Sequence, residues 1–316
     1  MGITRRHVLM GLGAAAIGGG VFGWSRFRPM PLRRDAGGAA VRDTRVPADP
    51  ARPEMAVAAG EADPAALTEK AIAAMGGLAR FVRRGEVVLI KPNIGWARVP
   101  LTAANTNPEV VAALVRGALA AGAKRVIVAD GSCDDADRAY QMSGIAAKAS
   151  DAGAEVILPA PDRWKDVLLH GRRIETWPIL AAALSADRVI NVPVAKHHGL
   201  ARYTGALKNW FGILGADRHQ LHGNLSASIV DANRFLRPTL TVIDATRVLL
   251  RNGPKGGNVA DAAVKNTVIA SVDPVAADAR ALELLGMAPA DVAHVVGAET
   301  EGLGTTDWKK LRRVDV

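Results

Sequence analysis

From residue 55 onward, short apolar runs alternate with longer stretches whose apolar positions recur every three to four residues. The runs 87–90, 125–129, 155–158, 188–192, 239–243 and 267–272 read as buried strands. Three dipeptides, Asp63-Pro64, Asn107-Pro108 and Asp273-Pro274, each place a capping side chain directly before a proline. Such pairs start helices, because the side chain accepts an orphan amide and the proline ring presets helical φ. Helices are expected from these starts to about Val82, near Gly122 and to Leu285, with others at 136–151, 204–214 and 222–236. Residues 162–186 are less regular, with a hairpin about Gly171 and a short helix near 178–185. The alternation predicts an α/β fold, helices layered on a mostly parallel open sheet, with a small irregular subdomain near 160–186.

The start of the chain is built differently. Thr4-Arg5-Arg6-His7 precedes an apolar, glycine-rich run from Val8 to Trp24, and Gly18-Gly19-Gly20 disfavours a stable core helix there. The combination resembles a twin-arginine (Tat) export signal. That resemblance implies passage of a folded protein through the Tat translocase to the periplasm, with residues 1–24 either removed or kept as a membrane anchor. Residues 25–54 hold five prolines and seven arginines without apolar periodicity and read as an exposed tether. Residues 55–316 are then a single α/β domain.

Charge and composition narrow the function. The chain of 316 residues carries a net +9. Six arginines against Asp35 give residues 1–40 a net +5, which leaves +4 for the other 276. That is an ordinary globular surface, and no nucleic-acid partner is expected. Cys133 is the only cysteine, so a disulfide framework, a cysteine zinc site and an iron–sulfur cluster from this chain alone are excluded. It lies in a loop and has no base beside it in sequence, so it reads as a small loop residue rather than a nucleophile.

Polar residues follow each predicted strand: Lys91-Pro92-Asn93, Asp130-Gly131-Ser132, Lys196-His197-His198, Asp244 and Asp273. In an open parallel sheet such loops share one edge, where ligands bind. The densest stretch runs from Val192 through Lys196, His197 and His198 to Thr204, Lys208 and Asn209. Thr204 is positioned to cap a helix that carries Lys208 one turn later, a combination suited to an anion. Four histidines, His197, His198, His219 and His222, fall within 26 residues. With a nearby carboxylate, Asp217, Asp231 or Asp244, they are candidates for a divalent metal, or for acid–base work. Gly253-Pro254-Lys255-Gly256-Gly257 lacks phosphate-loop spacing and reads as a plain loop. Asp273 reads as a helix cap, and Asp278 as an inward-facing residue of the same helix.

These blocks, taken in order, resemble the domain of unknown function 362 family over about residues 86–304. The Lys196-His197-His198 stretch and Thr204-Gly205-Ala206-Leu207-Lys208-Asn209 carry the resemblance most specifically. Lys91, Asn93, Lys196, His198, Thr204, Lys208, Asn209, His222, Asp244, Asp273 and Asp278 sit in the matching blocks, whereas His197 and His219 do not. Many relatives carry a ferredoxin-like cysteine segment, and this chain has none, so a redox role here requires a partner protein. The expectation is an exported enzyme that binds a small anionic substrate or cofactor. Lys91, Asn93, Lys196, Thr204, Lys208 and Asn209 are expected to hold the anion, His198 to act as acid–base, and Asp244 to orient it or hold a metal. Two alternatives stand beside it: a periplasmic cofactor- or ligand-binding accessory of a redox complex, and a metal-binding protein centred on His198 and His222.

Overall fold

A computed structural model describes residues 41–316. The strands are Met55–Ala59 (β1), Val87–Pro92 (β2), Arg125–Ala129 (β3), Glu155–Ile157 (β4), Trp164–Leu168 (β5), Thr176–Leu180 (β6), Arg188–Val192 (β7), Val194–His198 (β8), Arg202–Thr204 (β9), Leu240–Leu249 (β10), Ala262–Ser271 (β11) and Arg313–Asp315 (β12). The α-helices are Pro64–Ala74 (α1), Pro108–Ala120 (α2), Ala136–Met142 (α3), Ile145–Asp151 (α4), Ala181–Ser185 (α5), Ala206–Asn209 (α6), Leu225–Phe235 (α7), Pro274–Leu284 (α8) and Ala293–Thr300 (α9). Among the described residues, no helix is long and apolar enough to cross a membrane. The expected export signal lies outside the described residues.

The main sheet has the order β12-β1-β11-β10-β7-β2-β3-β4, with a β8–β9 hairpin attached to β10. From β10 to β4 every neighbouring pair is parallel, as the alternating pattern predicts. β5 and β6 form the separate hairpin expected near Gly171. Alternate strand residues feed two cores. Val88, Ile90, Val126, Val128 and Val242 pack with α1 to α4 on one face. Leu89, Ile127, Val189 and Ile243 pack with the side of α6 to α9 on the other. The period of two in a strand is what splits them.

Each proline-initiated helix has its predicted cap. Asp63 accepts from the Ala65 amide, Asn107 from Glu109, and Asp273 from Val275 and Ala276. The predicted lengths differ where glycine intervenes. α1 stops at Ala74 because Gly76 and Gly77 take φ of +97° and +80°. The stretch 136–151 is two helices broken at Gly144, φ +72°. Positive φ is cheap only for glycine and cannot continue a right-handed helix.

Three further differences shape the site. Residues 194–204, expected as loop, form the β8–β9 hairpin. β10 runs on to Leu249, so Asp244 lies within a strand rather than after one. β11 is antiparallel to β10, with Ser271 opposite Thr241. Asp273 therefore emerges at the opposite edge of the sheet from the other strand-end residues. The described part of the expected tether also lies along the domain. Thr44 is buried, donates to Arg237 O at 2.6 Å and accepts from Thr239 Oγ1 at 2.6 Å.

Candidate anion-binding site

Lys91 and Asn191 are register partners on β2 and β7 and share the face that packs on α6. Both side chains are fully buried. Lys91 Nζ lies 2.5 Å from Asp130 Oδ1, and it donates to Pro92 O at 2.7 Å and Asn209 Oδ1 at 3.1 Å. The second Asp130 oxygen accepts from the Ile94 amide at 2.7 Å. Asn209 donates to Lys91 O and to Asn191 Oδ1, and Asn191 donates to Ala206 O, which fixes α6 on the strand ends. Asn93 bridges outward, donating to Asn209 Oδ1 at 3.2 Å and accepting from Lys196 Nζ at 2.9 Å. Lys196 also donates to Ala104 O at 2.5 Å. Lys91, Asn93, Lys196 and Asn209 thus form one connected network, closed by Asp130.

Burial pushes the Lys91 ammonium below its ordinary pKa, and the Asp130 charge opposes that shift. Lys196 is 1% exposed and has no carboxylate in its hydrogen-bond shell; burial chiefly lowers it to about 7. Lys208, on α6, is half-buried and rests its ammonium 5.1 Å from the Phe211 ring centre. Burial, opposed by Cys133 and aided by the Arg218 and Lys91 charges, brings Lys208 to about 8.

His198 lies within electrostatic reach of this cluster. Burial, then Lys208 and Lys196, hold it down at about 3. Its Nδ1 accepts from the Leu200 and Ala201 amides, both at 3.2 Å. The neutral ring therefore carries its proton on Nε2. His197 is committed elsewhere, since its Nδ1 accepts from Gly253 N at 3.1 Å. Lys255, in the loop that follows Gly253, is paired with Asp134 at 2.8 Å.

The structure does not bring Asp244 to His198. Asp244 shares its sheet face with Val242 and so points toward the start of α2. It accepts there from Asn107 N, Thr246 N and Thr246 Oγ1. Burial raises its pKa, and these bonds oppose the rise. It lines a separate crevice of about 120 Å³ with Asn105, Asn107, Thr246 and Arg247.

Thr204 does not cap α6 either: the cap is Gly205, and the Thr204 hydroxyl is buried without a partner in the structure. The α6 amides of Ala206 and Leu207 donate instead to Asp278, at 2.6 and 3.0 Å. Burial raises Asp278 to about 7.

His222 stacks on His219 at 5.4 Å and sets its Nδ1 3.2 Å from Arg218 O. Among the described residues, no three His, Cys, Asp or Glu side chains converge on a metal position, so His198 and His222 gain no third ligand of these types.

Two site residues stand outside the set expected to hold the anion. Asp130 is the first residue after β3, where a strand-end signal points, yet nothing local shows that it pairs with Lys91. Arg218 had no signal. It donates to Phe211 O, Gly131 O, Ser132 O and Cys133 Sγ, tying the loop after β3 to the turn after α6. Cys133 is exposed at this point.

The fold and site define a class: an α/β protein with a cluster of lysines and a neutral histidine at the carboxyl edge of a parallel sheet. Residues 88–283 match the family described as Domain of unknown function (DUF362), and the chain belongs to that family. A thylakoid-associated protein of Synechocystis sp. is 27% identical over 246 residues, covering 73% of each chain. Among solved structures, a Thermotoga maritima protein is similar at 14% identity and a TM-score of 0.44, over 72% of this chain and 60% of that one. The lactate racemase apoprotein of Thermoanaerobacterium thermosaccharolyticum is similar at 13% identity and a TM-score of 0.47, over 76% of this chain and 58% of that one. The chain thus spans about three fifths of the length of these two solved proteins.

Proposed function

We propose that the protein is an exported enzyme that binds a small anionic substrate or cofactor beside Lys208, with His198 Nε2 as the proton-handling group. One observation carries this reading: Lys208 is half-buried with its ammonium against the Phe211 ring and no hydrogen-bond acceptor among the described residues, within electrostatic reach of Lys91, Lys196 and Arg218, while the one carboxylate of the network, Asp130, is spent on Lys91. A cluster with excess positive charge is destabilised by self-repulsion, and an anion relieves it. Asn93, Lys196 and Asn209 position the wall, with Thr204 opposite Lys196 across the β8–β9 hairpin and Asp244 on the other face of the sheet.

The test is thermal unfolding of the full chain against inorganic phosphate and acetate. A ligand at about 100 times its dissociation constant adds about 2.7 kcal/mol, an easily measured shift. Lys208→Ala is expected to stay folded and lose the response. An equal response in the variant, or none in the wild type, overturns the reading.

Export rests on Arg5-Arg6 and the apolar run after them. A reporter fused to residues 1–54 is expected in the periplasm, and in the cytoplasm once Arg5 and Arg6 are both lysine. Unchanged export of the double variant removes the Tat route from the proposal.

A further inference from the structure

Asp244 lines the crevice of about 120 Å³ on the α2 face of the sheet, and an irregularity in β10 builds that crevice. Asp244 lies opposite Val194 of β8 and Leu249 opposite Lys196, so β10 advances five residues while β8 advances two. Against β11 the register slips between Ala245 and Arg247. Ile243 and Ala245 face one core, and the next β10 side chain in that core is Val248. Arg247 is thereby left with Asp244 and Thr246 on the crevice side, where an even strand would have turned it away. Both charged groups there are underused. Asp244 is 2% exposed and accepts from Asn107 N at 2.7 Å, Thr246 N at 3.0 Å and Thr246 Oγ1 at 2.7 Å. All three donors are neutral. A carboxylate has about four acceptor positions, so one on Oδ2 is unspent. Arg247 is half-buried, and its guanidinium has no hydrogen bond or ion pair among the described residues, with Asp244 or any other group. No three His, Cys, Asp or Glu side chains gather there, so a metal ion finds too few ligands of its usual types.

We propose that this crevice binds a small free α-amino acid as its zwitterion, the ammonium on Asp244 and the carboxylate on Arg247. Asp244 Oδ2 has a lone pair to accept from the ammonium. Thr246 Oγ1, which donates to Asp244 Oδ1, keeps its own lone pairs for a second ammonium proton. The guanidinium fork matches a carboxylate with two parallel N–H donors. A ligand with both charges is required, because a lone anion leaves the Asp244 carboxylate uncompensated and a lone cation leaves Arg247 unpaired. Size follows from the volume, which equals the share of about four waters. Glycine or alanine suits that space, and Pro100, Leu101 and Ala103 present an apolar wall to a methyl group. The crevice uses none of the residues of the anion site and stands independently of that reading.

Glycine and L-alanine are the probes, titrated calorimetrically into the full chain at neutral pH and followed by thermal unfolding. Both are expected to bind and to raise the unfolding midpoint. Glycinamide, which lacks the carboxylate, is expected to bind at least about tenfold more weakly than glycine, since one charged contact is forfeited. L-Leucine is expected to be excluded by size. Arg247→Met keeps an aliphatic stem without the guanidinium. It is expected to lose glycine affinity at least about tenfold and to bind glycinamide as the wild type does. In Lys208→Ala, which silences the anion site, glycine is expected to bind as in wild type and acetate at least about tenfold more weakly than glycine. No binding of glycine or alanine, equal glycine binding by wild type and Arg247→Met, or loss of glycine binding in Lys208→Ala overturns the proposal. Glycinamide or acetate binding as tightly as glycine, or leucine as tightly as alanine, does so too. Glycine binding without any phosphate response leaves this proposal standing and removes the anion site instead. Asp244→Asn is expected to lose glycine as well. Should that variant fail to fold, because its carboxylate also holds Asn107 and Thr246, Arg247→Met and the ligand series decide the matter.

Discussion

Lys91 is a fully buried lysine, and its tolerance depends on Asp130 2.5 Å away and on two oxygens of Pro92 and Asn209. Removing one member of a buried ion pair strands the other charge, which costs about 3–5 kcal/mol, more than the pair adds over an apolar replacement. Asp130→Asn is therefore expected to lower unfolding stability by about 3 kcal/mol in denaturant titrations. Lys91→Met with Asp130→Asn is expected to cost less than the two single changes added together, because no charge is left unpaired. Additive costs mean that the two groups do not act as a pair.

At the scale of elements, the site depends on how closely α6 and its 3₁₀ continuation, Trp210–Ile213, approach the strand ends. A Cβ added at Gly212 overlaps Asp130 Oδ1 and lies 2.8 Å from Lys91 Nζ, and one added at Gly131 overlaps Gly212 O. Glycine is required there for contact, not for φ. Gly212→Ala is expected to cost about 1–3 kcal/mol by overpacking and to weaken any phosphate-induced thermal shift by forcing the ion pair apart. Gly223→Ala, with open space around its Cβ position, is the matched control and is expected to change neither. If Gly212→Ala behaves like the control, the close packing is not what holds the site.

At the scale of the molecule, buried titrating groups set how stability follows pH. His294 is fully buried on α9 with neither ring nitrogen paired in the structure, and burial, aided by Lys208, holds it at about 3. Unfolded histidine titrates near 6.5. Between about 3 and 6.5 the unfolded chain binds the extra proton, so this group costs stability as pH falls through that window. His294→Leu is expected to lose less stability than wild type between pH 7 and 4, by a few kcal/mol. Asp278 has the opposite sign. Its folded pKa of about 7 lies above the unfolded value, so the stability it contributes in acid is lost as pH rises from about 4 to 7. Asp278→Asn is expected to flatten that fall. Unfolding midpoints of wild type and both variants across pH 4–8 check both signs, and parallel curves for all three refute them.

Local chemistry made much of the fold legible. Strands 87–90, 125–129 and 188–192 and the three proline-initiated helix starts depend on neighbours a few residues apart, and the sequence states those outright. Parallel pairing followed from the alternation of strand and helix. Lys91, Asn93 and Lys196 were legible as a set because they follow strands that run parallel, and Asn209 from the dense polar stretch after them. What pairs across the fold was not legible. The two-residue period of β10 turned Asp244 to the α2 face, away from His198, because the strand runs on to Leu249 instead of ending at Ile243. The antiparallel run of β11 sent Asp273 to the far edge. Asp278 reached across from α8 to hold the α6 amides that Thr204 was expected to serve. Asp130 and Arg218 acquired their partners only when loops remote in sequence met. Caps and periodicity act over one turn, so the chain records them locally, whereas register, facing and charge pairing are fixed by packing between segments and arise only in the folded molecule.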